Sequence, residues 1–454
     1  AAEGDDAGQF GDHPRLGVGA AVAINVIANT SRAQLANGAT LDGTGTLGLE
    51  ALGEYAARTE AEAGAEGGIA ATPVAAVAVI DNNTQATIGT GTPIRVGGEV
   101  RVEALQASTS ETSAKASAAG EKAALGIAVG VNVINETVSA SIHRNVDANG
   151  DIHLAAYSAH LSSTTATASA KGGKGEEEGG EEEGEDSAED DVDQEIGRQT
   201  QFAQGKQKDD SESKTQEPDS AETSEGKISV AAAVAVNSAR TSTTASIADG
   251  VELAASGALS VEASGNADAS ADADGSAAGS TTTVGIGAAV AVNSVRSATE
   301  AWIGNAKVSA DGIAVRALMT DLGGDSDNTF SATAKAGAGA GKVGIAGALA
   351  LNILDTRSTA EIHGGALIEA EGGELELRAE SESVTTATAL PDEPASGGKL
   401  GVGASVALNL FREEEVRARI RNGAELIDLD KLSVIANALR LRAQTIGGDE
   451  DDRR

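Results

Sequence analysis

The chain repeatedly alternates aliphatic residues with glycine or alanine, as in GIGAAVAVNSV at 285–295. Here Ile286, Val290 and Val292 share one set of alternate positions, and the other set holds glycine, alanine and finally Asn293. A period of two residues is that of a β-strand, whose successive side chains point to opposite faces. The pattern predicts a strand with one aliphatic face and one nearly bare face. Because neither face is charged, we expect burial on both sides, with the bare face against a closely packed neighbour.

The same phrase recurs along the chain and ends each time near an asparagine. These residues are Asn25, Asn132, Asn237, Asn293, Asn352 and Asn409, and a degenerate copy places Ile80 at the equivalent position. One step, of 105 residues, contains an acidic block, and the other steps are about 56 residues long. About seven units therefore account for nearly the whole chain, which is typical of a solenoid, a propeller or an array.

Each unit continues through the same short segments. A polar run after the asparagine ends at Ile or Leu, a turn such as IGNA follows, and then come two alternating runs divided by glycine, as in VSADGIAVRA. A Ser/Thr/Ala alternation such as SSTTATASA closes the unit. The β-branched residues and the turns at Gly, Asn and Asp favour strands. Near the C-terminus, KLSVIANALRLRAQ is compatible with a helix or a final strand.

These patterns predict an all-β fold, a parallel β-solenoid (β-helix) of about seven repeats. A propeller is the alternative, but its blades normally carry aromatic residues and blade-specific motifs. Each unit could form one very wide rung or two to three ordinary ones, with rungs about 4.8 Å apart. With one rung per unit the asparagines could form a ladder of amide hydrogen bonds. With more rungs they would be too far apart to bond, and each could instead cap a turn.

Composition supports thin layers rather than a thick globular core. The chain of 454 residues has 57 Gly but only one Trp, two Tyr, four Phe and one Met, and it has no Cys. Large side chains that fill irregular space are therefore scarce. The net charge of −36 argues against a nucleic-acid partner, because phosphate contacts need clustered Lys and Arg. The absence of Cys excludes a disulfide scaffold and cysteine-ligated metals.

Charge and repetition together suggest the domain organisation. We expect an N-terminal extension (1–15), solenoid repeats 1–3 (16–170), an acidic disordered insertion (171–226), solenoid repeats 4–7 (227–445) and an acidic tail (446–454). The insertion holds 20 acidic and 6 basic residues, and charge this dense opposes an ordered core. No apolar run is long enough for a membrane helix, and no signal peptide is visible. The repeats favour a piece of a longer exported protein.

The repeated phrase [GV]-x-G-A-x-V-A-x-N, followed by A-x-I-G and V-x-A-x-G-x-[IL]-x-V-x-A, resembles the repeats of large filamentous adhesins of Gram-negative bacteria. These include filamentous leukotoxin and haemagglutinin-like surface proteins. The resemblance covers about residues 16–445. It implies a right-handed β-helical filament, export to the cell surface, and a role in adhesion or surface coating. It carries over no catalytic residue.

The glycine motifs are weak candidates for nucleotide binding. Pairs such as Gly17/Gly19, Gly285/Gly287 and Gly401/Gly403 begin a G-x-G-x-x-G pattern but lack its third glycine. GAGAGKVG at 337–344 imitates a phosphate loop, but Val343 stands where Ser or Thr would coordinate magnesium. Recurrence in register indicates structure rather than chemistry.

Two groups of residues are candidates for metal binding. The first comprises Asp268, Asp272 and Asp274, which we expect on one outward strand face, with Asp325 and Asp327 nearby. Their oxygens could bind Ca²⁺, although the nonapeptide calcium-repeat pattern is missing. The second group comprises His143, His153 and His160, which we expect to be surface histidines rather than ligands. We therefore expect no metal site and no cofactor, with Ca²⁺ as the open alternative.

The sequence favours a non-enzymatic structural segment of an exported adhesin or extracellular filament, acting as a rod or self-assembling fibre subunit. Expected partners are further copies stacked head to tail, or a longer array, and a host or cell-surface receptor, at an extracellular location. One alternative is a polysaccharide-processing or sugar-binding β-helix, against which the scattered Tyr55, Tyr157 and Trp302 argue. Another is a Ca²⁺- or ice-binding surface built on outward Thr and Asp, as at 162–168.

Overall fold

The computed structural model describes residues 16–172, 228–277, 283–321, 326–340, 342–391, 396–397 and 400–447. Of these residues 83% lie in strands and none lies in a helix, and the strands pair in parallel. The prediction of an all-β fold is confirmed, and the large parallel sheet agrees with a β-solenoid. The predicted N-terminal extension, acidic insertion and acidic tail lie almost entirely outside the described residues.

The repeated phrase forms what we name the opening strands, each about 20 residues long in the full units. Strand β3 and strand β5 each contribute an opening strand as their second half, because they run on from the preceding unit without interruption. The opening strands are β1 (Leu16–Val18) with β2 (Ala21–Leu35), the later part of β3 (Leu47–Ile88), the later part of β5 (Val100–Ile142), β8 (Ile228–Ile247), β11 (Val284–Ile303), β15 (Val343–Ile362) and β19 (Leu400–Ile420).

Each opening strand after the first leads through turns to a short strand and then to a return strand, whereas β2 leads through turns directly to its return strand. The short strands are β4 (Ile94–Val96), β6 (Val146–Ala148), β9 (Glu252–Ala255), β12 (Lys307–Ser309), β16 (Leu367–Glu369) and β20 (Glu425–Ile427), and they form a separate sheet. The return strands are the first parts of β3 and β5, β7 (Ile152–Gly172), β10 (Leu259–Ala277), β13 (Ile313–Met319) with β14 (Asn328–Ala340), β17 (Glu374–Pro391) and β21 (Lys431–Gly447). A two-residue strand, β18 (Ser396–Gly397), pairs with β14.

Strand pairing places equivalent residues of successive units beside each other, so that one unit forms one wide rung. Asn237 pairs with Asn293, and Asn293 pairs with Asn352. The strands that carry these residues keep the same register along their full length. The position equivalent to Asn25 is Ala78, which pairs with both Asn25 and Asn132. The expectation that Ile80 holds this position is therefore wrong by two residues. The shift keeps the inward parity, so the strand pattern alone does not reveal it.

The interior is thick at the end near the short strands and thin at the other end. Beside the short strands, Ile, Leu and Val side chains form a continuous core that includes Ile88, Leu154 and Ile303, all fully buried. Towards the other end, the opening and return sheets meet almost entirely through alanine. There a Cβ on Gly126 or Gly287 would lie less than 3.0 Å from a carbonyl oxygen of the facing strand. The bare face predicted from the sequence thus allows the two sheets to come into close contact, because glycine and alanine leave little side-chain volume between them.

A buried arginine connects the turns that follow the first three opening strands. Arg144 is 2% exposed, and its guanidinium donates hydrogen bonds to the carbonyl oxygens of Ala36, Ala39, Gly89 and Thr90. Those acceptors belong to the two preceding rungs. A planar donor group with five N–H bonds suits this task, since it reaches turn carbonyls of two other rungs at once.

The C-terminal segment KLSVIANALRLRAQ is a strand, β21, and not a helix. It pairs with β17 in parallel register, interrupted by one irregularity between Ser381 and Glu382. Its inward alternation of Leu432, Val434 and Ala436 matches that of the other return strands. The neighbouring strand therefore decides between the two states that the local sequence permits.

Candidate interaction surface and buried polar network

The outward side of the opening strands is aliphatic and in contact with solvent. Outward side chains are 70% exposed at Val22 and 55% at Val406 in the outermost rungs, and 41% at Val133 and Ile345 inside the stack. The bare inward positions, such as Ala289, are buried. The expectation that these strands are buried on both sides is therefore wrong. Nothing among the described residues covers their aliphatic side. The absence of charged residues on a strand face is therefore not sufficient to predict that the face is buried.

We name this surface the aliphatic face. It comprises every second residue, counted from the first, of the in-register segments 16–26, 69–79, 123–133, 228–238, 284–294, 343–353 and 400–410. These positions hold aliphatic residues, with the exceptions of one Pro, one Gly and two Ser, and none carries a charge. Six columns of side chains therefore run across the stacked rungs without a polar interruption larger than a hydroxyl group.

Beyond the asparagine, the same outward surface becomes polar and charged. Arg296 donates to Asp355 in the next rung at 2.9 Å, and Arg357 lies 3.4 Å from Glu413 and 3.1 Å from Glu415. These pairs join neighbouring rungs across solvent, where each contributes little stability. They do mark a boundary, because the surface changes from uncharged to charged within a few residues of one strand.

The stacked asparagines form an interrupted ladder. Asn237 Nδ2 lies 3.2 Å from Asn293 Oδ1, and Asn352 Nδ2 lies 2.9 Å from Asn409 Oδ1. Between these pairs, Asn293 Nδ2 donates instead to the carbonyl oxygen of Ala269 in the facing strand, and Asn352 Oδ1 accepts no hydrogen bond. The side-chain amides therefore form hydrogen bonds both along the stack, to the asparagine of the next rung, and across the interior, from the opening sheet to the return sheet.

A buried polar network fills the middle of the early rungs. His160 Nδ1 lies 3.2 Å from Glu136 Oε2 and 2.9 Å from Ser108 Oγ. Asn82 donates to Glu136 Oε1 at 2.9 Å, and Asn29 donates to Asn82 at 2.9 Å. The network thus crosses three rungs of opening strand and reaches the return strands. A small cavity borders it between Tyr55 and Ile134.

The electrostatics of this network favour an ionised carboxylate. Burial raises the pKa of Glu136, but attraction to His160 and hydrogen bonds from His160, Ser108 and Asn82 outweigh it and leave the pKa below its usual value. Ser108 and Glu136 both approach the same ring nitrogen of His160, and the other ring nitrogen has no partner. In a catalytic triad the serine and the carboxylate bind opposite nitrogens. This arrangement cannot relay a proton from serine to carboxylate through the ring.

The three candidate histidines lie in different environments. His143 is exposed, and His153 lies 3.2 Å from Glu103 at the surface of a return strand. His160 is 1% exposed, so the expectation of a surface position is wrong for this residue. Its parity in β7 matches that of Ile152 and Leu154, which point inward. Counting alternate positions from Ile152 and Leu154 predicts an inward position for His160. The same count from Asn132 predicts an inward position for Glu136.

The acidic candidates do not form a common site in the described part of the chain. Asp268, Asp272 and Asp274 share the outward side of β10, where the first two are partly buried and Asp274 is 1% exposed. Asp268 accepts a hydrogen bond from the backbone of Thr329 at 2.8 Å. Asp325 lies outside the described residues. No group of three or more His, Cys, Asp or Glu that could hold a metal ion occurs among the described residues.

Burial makes Asp272 an unusual carboxyl group. It raises the pKa of Asp272 to about 6, against a hydrogen bond from Thr333 and the charge of Lys335, which both lower it. Its neighbours on the outward side of the return strands are hydroxyl and charged residues. Of the Thr-rich segment 162–168, Ser162 and Thr164 point inward and are fully buried, and the alternate residues point outward.

The glycine motifs and the aromatic residues are dispersed within the fold. Gly285 and Gly401 begin opening strands, and the GAGAGKVG segment supplies the end of β14 and the start of β15. Tyr157 donates to Glu262 at 3.0 Å, and burial together with this carboxylate raises the pKa of Tyr157. Trp302 stacks on His363 with ring centroids 5.0 Å apart. These residues lie on different strands and do not line one groove.

Comparison of the chain with family models, with curated proteins and with solved structures gives no match. Among the described residues, no helix is long and apolar enough to cross a membrane.

Proposed function

We propose that the chain is a non-enzymatic structural segment of an exported bacterial adhesin or extracellular filament, built as a right-handed parallel β-solenoid of seven repeats. One observation carries the proposal: equivalent residues stack on equivalent residues in every rung, and the outermost strands pair on one side only within the described residues. The resemblance of the repeats to filamentous adhesins supplies the biological setting.

The proportions of the stack support a unit that functions by addition of further rungs. Seven rungs at about 4.8 Å give a height of about 34 Å, whereas a 20-residue strand at about 3.3 Å per residue is about 66 Å long. One chain is thus wider than it is tall. A rod therefore requires continuation of the stack, either within a longer array or by further copies.

The first and last opening strands are suited to such continuation. Leu16–Asn25 reads LGVGAAVAIN and Leu400–Asn409 reads LGVGASVALN, so that they differ at two of ten positions. A second copy placed with its first strand on the free edge of β19 would repeat the register that joins β15 to β19. Such a head-to-tail contact is heterologous and does not close, so it generates a filament.

Electron microscopy of the purified chain at increasing concentration tests this proposal. We expect particles that lengthen along the stacking axis in steps of about 34 Å. The Leu400 amide donates to Lys342, so alternation turns the amides of Ser405 and Ala407 towards the free edge. The variant S405P/A407P should remain as single-copy particles, while the control S405A/A407S should still lengthen. Single-copy particles of the unmodified chain at every concentration would contradict end-to-end assembly.

A further inference from the structure

We propose that the aliphatic face is a self-association surface, which packs against the aliphatic face of a second copy. This contact is lateral, through the side of the solenoid, and does not depend on the end-to-end stacking proposed above.

The size of the face matches that of a stable homodimer interface. Ten residue steps at about 3.3 Å span about 33 Å along the strands, and seven rungs span about 34 Å across them. The face therefore measures about 1,100 Å² on each copy, or about 2,200 Å² for a pair, which falls in the range of obligate homodimers. The largest apolar patch on an ordinary monomer is about 300–600 Å².

The shape and composition suit packing of one sheet on another. Columns of Val, Ile and Leu separated by small residues, such as the column of Ala232, Ala288 and Gly347, provide ridges and grooves. Two such surfaces can interdigitate at the spacing of about 10 Å that is usual between packed sheets. A two-fold axis would bring the same surface of both copies together, as in most homodimers.

Charge favours a second copy over a lipid surface. The chain carries a net charge of −36, and the aliphatic face carries none of it, so pairing keeps the acidic surfaces outward and apart. Membrane-surface binders instead border their apolar side with Lys, Arg and aromatic residues. The border beyond the asparagines holds ion pairs such as Arg296 with Asp355, the opposite border carries the exposed Lys122 and Lys342, and the acidic chain as a whole is repelled by anionic lipid.

Charge and composition also argue against the acidic segment 173–227 as the cover. Its large apolar side chains are Val192, Ile196 and Phe202, and most of its other residues are acidic, polar or glycine. Three such side chains cannot match six columns of aliphatic residues. Carboxylates held against an uncharged apolar surface would lose hydration without gaining partners.

The test uses paired lysines on adjacent stacked strands. Val234 and Val290 are register partners in the middle of the face, and both are partly exposed, so the V234K/V290K variant can fold while placing charges in the interface. The matched control is S163K/S270K, which adds the same charges to adjacent partly exposed partners on the polar outward side of the return strands. Both pairs are placed in the S405P/A407P background, which removes end-to-end growth from the measurement.

The readout is molar mass by light scattering after size exclusion, with circular dichroism to verify strand content. We expect about 90 kDa for the background and the control, twice the chain mass of 44.9 kDa, and 44.9 kDa for V234K/V290K. A background of 44.9 kDa at high micromolar concentration would overturn the proposal, and so would a dimer that survives V234K/V290K.

Two further arms identify another occupant if the background is monomeric. Flotation of the monomer with phosphatidylcholine vesicles, lost in V234K/V290K, would assign the face to lipid. Appearance of a dimer only after deletion of 173–227 would assign it to that segment. Either result would overturn pairing of the intact chain.

Discussion

The Nδ1 atom of His160 lies 3.2 Å from Oε2 of Glu136, and neither side chain is more than 2% exposed. Removing one partner of such a pair leaves the other buried without compensation. We expect Glu136→Gln to destabilise the fold by about 3–5 kcal/mol in urea unfolding at neutral pH. The control Glu252→Gln removes the exposed ion pair with Lys307 and should cost less than about 1 kcal/mol.

The lowered pKa of Glu136 fixes the pH dependence of this effect. Its ionised form is favoured in the folded state, so the stabilisation is complete above the ordinary value of 4.5 and is lost as the pH falls through the lowered folded value. The difference between the unmodified chain and Glu136→Gln should therefore shrink below pH 4.5. An undiminished difference at the lowest pH at which the fold persists would refute the role of the ionised carboxylate.

Asp272 predicts the opposite pH dependence. Its pKa rises from 3.8 to about 6 on folding, because burial disfavours the charged form. The folded state therefore binds the proton more tightly, and its stability falls as the pH rises from 3.8 through 6. Asp272→Asn removes this loss, so we expect it to be more stable than the unmodified chain at pH 7 and equally stable at pH 3. Chemical denaturation at the two pH values measures this, and equal stability at pH 7 would show that the carboxylate is not penalised.

The close approach of the two long sheets predicts different outcomes for two glycines. A Cβ on Gly287 would lie less than 3.0 Å from backbone carbonyl oxygens of Gly337 and Gly275, whereas a Cβ on Gly347 meets nothing within 4 Å. We expect Gly287→Ala to destabilise by about 1–3 kcal/mol through overpacking. Gly347→Ala, on the outward side, should be neutral or stabilise by about 0.4–1 kcal/mol. Thermal unfolding of both variants decides this, and equal melting temperatures would mean that the sheets can separate at little cost.

The corner arginine predicts a second contrast. Arg144→Ala removes the guanidinium donor from the carbonyl oxygens of Ala39 and Gly89, whereas those of Ala36 and Thr90 keep the backbone amides of Ala39 and Gly38 as donors. We expect a loss of at least about 2–3 kcal/mol, since each unsatisfied buried acceptor is costly. Arg95→Ala breaks an exposed ion pair with Asp147 and should change stability by less than about 1 kcal/mol. Similar losses in the two variants would show that Arg144 does not fasten the corner.

Sequence periodicity predicted the strands and the bare inward surface because both depend on alternation within one segment. It assigned the position equivalent to the asparagines to Ile80, two residues from the true equivalent, Ala78, because only pairing with the neighbouring strand fixes the register. It assigned burial to the aliphatic face, since burial depends on what packs there and not on the residues themselves. The surface position expected for His160 is wrong because it disregards strand alternation, which places His160 on the same inward side as Ile152 and Leu154.

The resemblance to filamentous adhesins remains the source of the proposed biological setting, while the rungs supply the physical basis for assembly. End-to-end stacking and face-to-face pairing use different surfaces, the strand edges and the aliphatic face. Both follow from one arrangement, in which each unit contributes one rung and repeats its neighbours' side chains at the same positions.

Spin labels at register-equivalent positions test that arrangement most directly. The outward residues Thr30 and Ala298 are four rungs apart by strand pairing through Asn83, Thr137 and Ser242. Because the chain has no Cys, the Thr30→Cys/Ala298→Cys variant takes labels at these two sites alone. One rung per unit predicts a distance of about 19 Å between label attachment sites, rising to about 24 Å when Arg357 replaces Ala298 as the second site. Two or more rungs per unit would give about 38 Å or more for the first pair and would contradict the account.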